Sequence, residues 1–312
     1  MKNSVKNGRK TAVAFVSAAL LLLLAAAVII SGYRQADTLH DGDISDDLQV
    51  YFIDVGQGDS SLIVTPDGRT MLIDAGPPEA ADALDVYIRD LGIDKLDYLV
   101  ITHLHSDHYG GAVVLADDMD IETVLVSGAE PDNGVEKDLY KALRRNGCDI
   151  VTVAMGDEFM LGEVRVQMLY PYAIVDNGGN NDSIIIKLLY KNTTFLFTGD
   201  TEEVSENALV NIYGDSLSAD VLKVAHHGSS TSSSERFIST VSPSVAVISC
   251  EKNNSYGHPH RETMDTLEKH GVRVYRTDLS GTVVLLSDGD DIYRYTGRVK
   301  KRNTLFQSVG KV

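Results

Sequence analysis

Thr102-His103-Leu104-His105-Ser106-Asp107-His108-Tyr109-Gly110-Gly111 places three imidazoles and one carboxylate within six residues. Protonated imidazoles this close repel one another, and they offer little apolar surface to a core. A divalent cation removes the conflict, because neutral imidazole and carboxylate are ligands that ions such as Zn²⁺ select. The stretch therefore predicts a metal site rather than a polar loop with incidental histidines.

The spacing of these side chains predicts how they divide. In an extended segment His103 and His105 project to the same side, so they can hold one ion together. Asp107 and His108 follow at the turn that precedes Gly110 and are displaced toward a second ion. We therefore expect two divalent ions, with Zn²⁺ or Mn²⁺ as the candidates.

Further motifs surround this stretch in a fixed order. Together with it, they resemble the signature of the metallo-β-lactamase superfamily of metal-dependent hydrolases. They are Leu72-Ile73-Asp74-Ala75-Gly76, Phe197-Thr198-Gly199-Asp200 and Lys223-Val224-Ala225-His226-His227-Gly228-Ser229. The resemblance implies an α/β fold, a four-layer αβ/βα sandwich.

Three more stretches narrow the resemblance to the extracytoplasmic metallo-hydrolase domain of ComEC-type competence (DNA-uptake) proteins. They are Phe52-Ile53-Asp54-Val55-Gly56-Gln57-Gly58-Asp59-Ser60, Asn180-Asn181-Asp182-Ser183 and Asn254-Ser255-Tyr256-Gly257-His258-Pro259. The resemblance places the hydrolase domain at residues 49–296.

The resemblance also implies a ligand set. His103 and His105 would bind the first metal, Asp107 and His108 the second, and Asp200 both. In the late motif we expect the second histidine, His227, to complete the second site.

Other residues are expected to support the ligands or act on the substrate. His226 would contact the substrate or position the ligand, and His258 would line the active site with Asp107 as a catalytic residue. Asp74 would accept a hydrogen bond from a ligating imidazole and fix its tautomer. Asp59 lies at a strand end beside two glycines, where the backbone can approach closely.

The chain departs from the superfamily at one place. The stretch that usually supplies a third imidazole to the first site reads Gly178-Gly179-Asn180-Asn181-Asp182-Ser183 and has no histidine. ComEC-type proteins share this substitution, so Asn180, Asn181 and Ser183 are expected near the site. The first metal would then lack one strong donor, and single-metal or weak two-metal occupancy follows.

The first 36 residues contain five basic residues and no acidic one. The apolar run at 11–31 is long enough to cross a bilayer as a helix. The basic segment 1–10 predicts a cytoplasmic start and an extracytoplasmic remainder. We expect a signal anchor, a linker at 32–48 and a basic tail at 297–312; cleavage and secretion is the alternative.

The expected reaction is attack of a metal-activated water on a phosphodiester, with DNA as the substrate class that the resemblance implies. The net charge of −17 counts against tight non-specific DNA binding. Two alternatives remain: hydrolysis of another cell-surface phosphodiester, as in a phosphorylcholine esterase, and a non-catalytic metal-binding interaction module.

Hydrophobic periodicity predicts alternating strands and helices over the domain. The predicted strands include 50–54, 61–65, 70–73 and 99–101 in the first half and 194–197, 221–224 and 245–249 in the second. No strand is predicted between Val153 and Ser183.

Overall fold

The computed structural model describes residues 46–131 and 134–296. The predicted segments 1–10, 11–31 and 297–312, with nearly all of the linker 32–48, lie outside these residues. Within the described ranges, no helix is both long enough and apolar enough to cross a membrane.

The described residues form two β-sheets. The first sheet has the order β15-β14-β1-β2-β3-β4-β5-β6. Its strands are β1 Leu48–Phe52, β2 Ser61–Val64, β3 Thr70–Ile73, β4 Lys95–Ile101, β5 Asp120–Val126, β6 Asp149–Thr152, β14 Val283–Ser287 and β15 Ile292–Tyr295. Strands β3 to β6 are parallel, and the others pair antiparallel.

The second sheet has the order β13-β12-β11-β10-β9-β8-β7. Its strands are β7 Glu158–Leu161, β8 Val164–Tyr170, β9 Ile185–Tyr190, β10 Thr193–Phe197, β11 Val221–Lys223, β12 Val245–Ile248 and β13 Arg273–Arg276. Strands β10 to β13 are parallel, so each sheet has one parallel run.

Helices cover the outer face of each sheet. On the first sheet they are α1 Ala81–Asp90, α3 Ala112–Asp118 and α4 Gly134–Arg145, and on the second α5 Glu203–Tyr213, α6 Glu235–Val241 and α7 Arg261–Lys269. Two single-turn helices, α2 Ser106–Tyr109 and α8 Thr277–Ser280, follow β4 and β13.

Side-chain alternation along the strands produces the layers. Val50 and Phe52 point into the core between the sheets, whereas Tyr51 points to the helices outside. The rings of Phe52 and Phe197 meet across the two sheets with centroids 5.8 Å apart. The result is the predicted αβ/βα sandwich, and this expectation is confirmed.

The hairpin β7–β8 lies where no strand was predicted. It occupies the edge of the second sheet, and only Leu161 of β7 is buried. Its turn is Gly162-Glu163, with Gly162 at a φ of +57°. A glycine that begins a two-residue loop is a hairpin signal, which the sequence contained.

Candidate metal centre

The predicted ligands meet at the carboxyl ends of the two parallel runs. His103 to His108 follow β4, Asp200 follows β10, and His226 and His227 follow β11. Open α/β sheets place ligands at these strand ends. The site therefore lies where the two sheets present their carboxyl ends to each other.

The first ligand group is His103, His105 and Asp200, whose candidate ligand atoms lie within 4.8 Å of one another. His103 is buried, and His105 is exposed. Burial, and then the neighbouring His108, holds the pKa of His103 well below its usual range. The imidazole is therefore neutral, which is the form that binds a metal.

The second ligand group is Asp107, His108, Asp200 and His227, again within 4.8 Å. His227 Nε2 lies 3.1 Å from Asp107 Oδ2 and 3.6 Å from Asp200 Oδ2. His108 Nε2 lies 3.2 Å from the same Asp200 oxygen. The group contains every residue predicted for the second metal.

Asp200 belongs to both groups, as expected of a shared ligand. Although burial opposes ionisation, His108 and His227 hold the pKa of Asp200 well below its usual range. Ser183 supports it, because the backbone N–H of Asp200 donates to Ser183 Oγ at 3.1 Å. The same hydroxyl lies 3.4 Å from His103 Nδ1, so Ser183 links the bridging carboxylate to the first group.

Buried polar atoms without a hydrogen bond test whether metals fit here. Across the described residues they include His103 Nε2, His108 Nε2 and Asp200 Oδ1, which belong to residues of the two ligand groups. An unsatisfied buried polar atom is costly and calls for an explanation. Ligation supplies one, and the donor set of imidazoles and carboxylates suits Zn²⁺ or Mn²⁺.

A carboxylate and a backbone carbonyl hydrogen-bond the imidazoles of the second group, and a second carboxylate lies close by. Asp74 Oδ2 lies 2.8 Å from His108 Nδ1, as predicted, and also accepts from the Thr102 hydroxyl. Asp59 Oδ1 lies 3.3 Å from His227 Nδ1, which is also 3.0 Å from the Ser249 carbonyl oxygen. Both imidazoles therefore turn Nε2 toward the metal groups.

These carboxylates also govern protonation. Burial lowers the pKa of His227, but Asp200 and Asp59 outweigh it and raise that pKa to about 10. Burial likewise opposes the charge on His108, whereas Asp200 and Asp74 raise its pKa well above the usual range. A metal that binds Nε2 must displace these protons.

Sequence reasoning did not single out Lys223. Its Nζ lies 2.7 Å from Asp59 Oδ2, and both side chains are buried. Nζ also donates to the Val224 carbonyl oxygen at 3.0 Å. Lys223 thus balances the charge of the carboxylate that faces His227.

His226 and His227 divide between the surface and the interior. Both adopt left-handed backbone conformations, with φ of 50° and 54°. Non-glycine residues in this region are strained, and such strain concentrates at functional sites. His227 is buried, whereas the half-buried His226 ring has its Nε2 3.9 Å from Asp200 Oδ2.

The asparagine pair lies beside His226 and is held by Glu202, a residue that the sequence reasoning missed. Asn180 Nδ2 donates to Glu202 Oε1 at 3.3 Å, and Asn181 Nδ2 donates to Oε2 at 3.2 Å. Asn181 Oδ1 accepts from Ser205 Oγ at 3.0 Å. Asn180 Oδ1 is buried and has no hydrogen-bond partner among the described residues. Of the two asparagine side-chain oxygens, it is therefore the one that is free to bind a metal ion.

His258 forms the rim of the site. Its ring centroid lies 5.6 Å from that of His226 and 6.1 Å from that of His227. Burial, together with these two imidazoles, lowers the pKa of His258 to about 4. The ring is therefore neutral near pH 7, and Gln57 Nε2 lies 3.5 Å from its Nδ1.

Comparison with known proteins agrees with the motifs. Residues 53–251 match the sequence model of the metallo-beta-lactamase superfamily. The chain is 32% identical to ComE operon protein 3 of Bacillus subtilis over 82% of its length, and 32% identical to competence protein ComA of Neisseria gonorrhoeae over 74%. It spans about a third of each relative, 34% and 31%. The predicted resemblance to ComEC-type proteins is confirmed.

A solved structure with the same fold is the metallo-beta-lactamase fold protein YhfI from Bacillus subtilis. It aligns with a TM-score of 0.54 and 12% sequence identity, covering 77% of this chain and all of the other. At this identity the likeness concerns the fold alone.

Proposed function

This chain belongs to the metallo-beta-lactamase superfamily, and from that premise we propose that it is a metal-dependent phosphodiesterase that acts on nucleic-acid strands. The observation that carries the proposal is the Asp200 carboxylate, which is shared by two groups of metal-ligating side chains. Paired ligand groups around one carboxylate are the arrangement that two-metal hydrolases of phosphate esters use.

His103, His105 and Asp200 would hold one ion, and Asp107, His108, His227 and Asp200 the other. Ions bound there would supply Lewis acidity, which lowers the pKa of water and neutralises charge on the phosphate. Asp74 and the Ser249 carbonyl oxygen keep the imidazoles of His108 and His227 oriented for this role.

Asp107 and His258 are the residues placed to act on the substrate. Although burial opposes it, the contact with His227 lowers the pKa of Asp107, whose side chain is 31% exposed. An ionised, accessible carboxylate can accept a proton from the attacking water. The Gln57 amide donates to His258 Nδ1, so the proton of the neutral ring lies on Nε2 and can donate to a phosphate oxygen.

A cationic groove supports a polyanionic substrate despite the net charge of −17. Lys137, Lys141 and Arg144 of α4, together with one acidic residue, Glu130, line a hollow of about 670 Å³ beside the ends of β5 and β6. Lys141 Nζ also pairs with Asp138 at 2.7 Å. The residue before Lys137 on the same helix, Glu136, lines a second hollow, which His105 also lines. A strand that reaches the histidines could therefore place further phosphates against these cations.

The proposed location is the outer side of the cytoplasmic membrane. The proposal rests on the apolar run at 11–31 and the basic residues before it. Secretion after cleavage remains the alternative. Full-length protein found with membranes at its uncleaved mass would support the anchor, and a shortened form in the medium would contradict it.

The function is tested with full-length protein loaded with Mn²⁺ or Zn²⁺. The substrates are bis-p-nitrophenyl phosphate, single-stranded DNA and double-stranded DNA, and Asp200→Asn is the control. We expect metal-dependent cleavage that the variant loses. Metal binding without cleavage of any substrate would instead indicate the non-catalytic module.

One observation favours a second candidate, a phosphorylcholine esterase. The hollow of about 320 Å³ beside His105 is lined by Glu136 and Asp176, and such an acidic lining suits a quaternary ammonium group. Faster hydrolysis of p-nitrophenylphosphorylcholine than of any nucleic acid would favour this function.

A further inference from the structure

Tyr256 displays an exposed aromatic ring at the mouth of the metal centre. The residue is 65% exposed. Its ring lies nearly parallel to that of His258, with centroids 5.6 Å apart and planes at 17°. His258 in turn lies beside His226 and His227. The two stacked rings therefore continue the row of site histidines outward to solvent.

The loop that carries Tyr256 is held in place by polar contacts. Asn254 Oδ1 accepts from the backbone N–H of Tyr256 at 3.2 Å and of His258 at 3.0 Å. Asn254 Nδ2 donates to the carbonyl oxygens of Glu251 and His258. Gly257 makes the turn between the two rings with a φ of +77°.

None of these contacts uses the tyrosine ring. His260 Nε2 reaches the backbone oxygen of Tyr256 at 3.1 Å, and the other bonds join Asn254 to the backbone. The loop would keep its shape with a smaller side chain at this position. The loop therefore positions the Tyr256 ring, and the ring is not needed to keep the loop in its conformation.

A single exposed aromatic residue needs no explanation by itself. The orientation of Tyr256 does need an explanation, because its ring is stacked on the site residue His258 and the other face of the ring is open. Preorganised aromatic faces of this kind bind nucleobases, and they tolerate any base because every base has a π-face. A phosphodiester without a base offers nothing flat to such a surface.

We propose that Tyr256 is a stacking platform for the nucleobase next to the scissile phosphate. The inference rests on the proposed phosphodiesterase site and names its substrate class as base-bearing strands. Tyr256 would thereby favour nucleic acid over phosphodiesters whose backbone carries only polyols.

The test compares two labelled strands of equal length, oligothymidylate and an oligomer of abasic sites, by fluorescence anisotropy. Full-length protein is kept in chelator, where metal-dependent cleavage cannot occur. We expect wild-type protein to bind oligothymidylate about tenfold more tightly than the abasic strand, the size of effect that one stacked base gives. Tyr256→Ala should abolish the difference, and Tyr256→Phe should restore it.

Tyr172→Ala is the matched control, because Tyr172 is also exposed but packs its ring against Tyr170. That variant should keep the preference. Equal binding of the two strands by wild-type protein would overturn the inference, and so would an equal loss for both strands in Tyr256→Ala.

Cleavage of the same strands is measured separately with Mn²⁺. If the protein prefers the base-bearing strand but cleaves neither strand, the stacking site is supported and the proposed function is contradicted. If both strands are bound equally and cleaved equally, the stacking inference is contradicted and the proposed phosphodiesterase function is retained.

Discussion

Lys223 Nζ and Asp59 Oδ2 form a buried ion pair of 2.7 Å between residues 164 positions apart. Lys223 ends β11 of the second sheet, and Asp59 lies in the loop between β1 and β2 of the first. The pair therefore joins the two sheets directly behind His227, whose Nδ1 faces the other Asp59 oxygen.

Replacement of Lys223 by Met should destabilise the fold. The change removes the closer of the two cationic neighbours of the buried Asp59 carboxylate and leaves only His227 beside it. Removal of one partner from a buried pair costs about 3–5 kcal/mol. The double variant with Asp59→Asn should recover much of the loss. Urea denaturation measures both, with Lys95→Met as the control, because Lys95 and Glu122 form an exposed pair whose loss should change little. A Lys223→Met variant as stable as the control would contradict this account.

Asp200→Asn should reduce kcat/KM by about 100-fold or more while the fold stays intact. Residues that merely support a ligand cost about 10- to 100-fold when changed, and Asp200 serves both ligand groups. Steady-state kinetics on bis-p-nitrophenyl phosphate, with circular dichroism for the fold, measures the effect. Turnover close to wild type would mean that the two groups do not act through a common carboxylate.

Metal affinity should rise with pH. The pKa of His227 is raised to about 10, so near pH 7 the imidazole holds a proton that metal binding must displace. Each displaced proton increases the apparent affinity by about tenfold per pH unit until that pKa is reached. Isothermal titration in two buffers of different ionisation enthalpy should show proton release, and binding that is independent of pH between 6 and 9 would refute it.

The same pKa predicts the stability of the metal-free protein. A raised histidine pKa contributes stability that is fully present below the unfolded value of about 6.5 and is lost as pH rises toward 10. Metal-free protein should therefore become less stable above pH 7, whereas the metal-loaded protein should not follow this course. Thermal melts across this range test both statements.

The asparagine pair predicts two unequal metal sites. The first group has two imidazoles and Asp200, whereas the second has four donors. Titration of metal-free protein should show a tight step and a weaker one. Asn180→His should tighten the weaker step, because Asn180 Oδ1 is the buried oxygen without a partner. Asn181→His should not tighten that step, because Ser205 and Glu202 hold the Asn181 side chain by hydrogen bonds. Two equal binding steps in the wild-type protein would refute the ligand assignment.

The groove on α4 predicts a change in salt dependence. Lys141→Ala with Arg144→Ala should weaken binding of single-stranded DNA and reduce the slope of log affinity against log salt by about 1.4, for two lost phosphate contacts. Hydrolysis of bis-p-nitrophenyl phosphate should stay unchanged, since this substrate is too small to reach the groove. Arg236→Ala on α6 is the control, and an unchanged slope in the double variant would exclude the groove from the binding path.

Sequence predicted the parts of this protein whose causes are local. Strand β3 was predicted with its observed bounds, because a short apolar run there is enclosed by turn residues. The hairpin β7–β8 was missed, and for β7 the reason is that an edge strand with one buried residue has no apolar pattern. The sequence held two signals for the hairpin: the glycine of the Gly162-Glu163 turn, and the alternation of buried Val164, Val166 and Met168 with Arg165 and Gln167 along β8.

The site divides in the same way. The histidine motif lies within six residues and could be recognised directly. The partnership of Lys223 with Asp59 could not, because a buried lysine has no pattern of its own and its partner is distant in sequence. Glu202 is comparable: it follows Asp200 closely, but its role depends on asparagines on another segment.

The carboxylate of Asp200 has a further consequence for how the chain assembles. Within 4.0 Å of its Oδ2 lie nitrogen atoms of His103 and His108 from the first sheet's loops and of His226 and His227 from the second. Neither half of the chain supplies all of the nitrogen atoms that surround this carboxylate oxygen. A bound ion would therefore link the two halves of the chain. A chain cleaved between β6 and β7 should stay associated when metal is present and dissociate more readily when metal is removed.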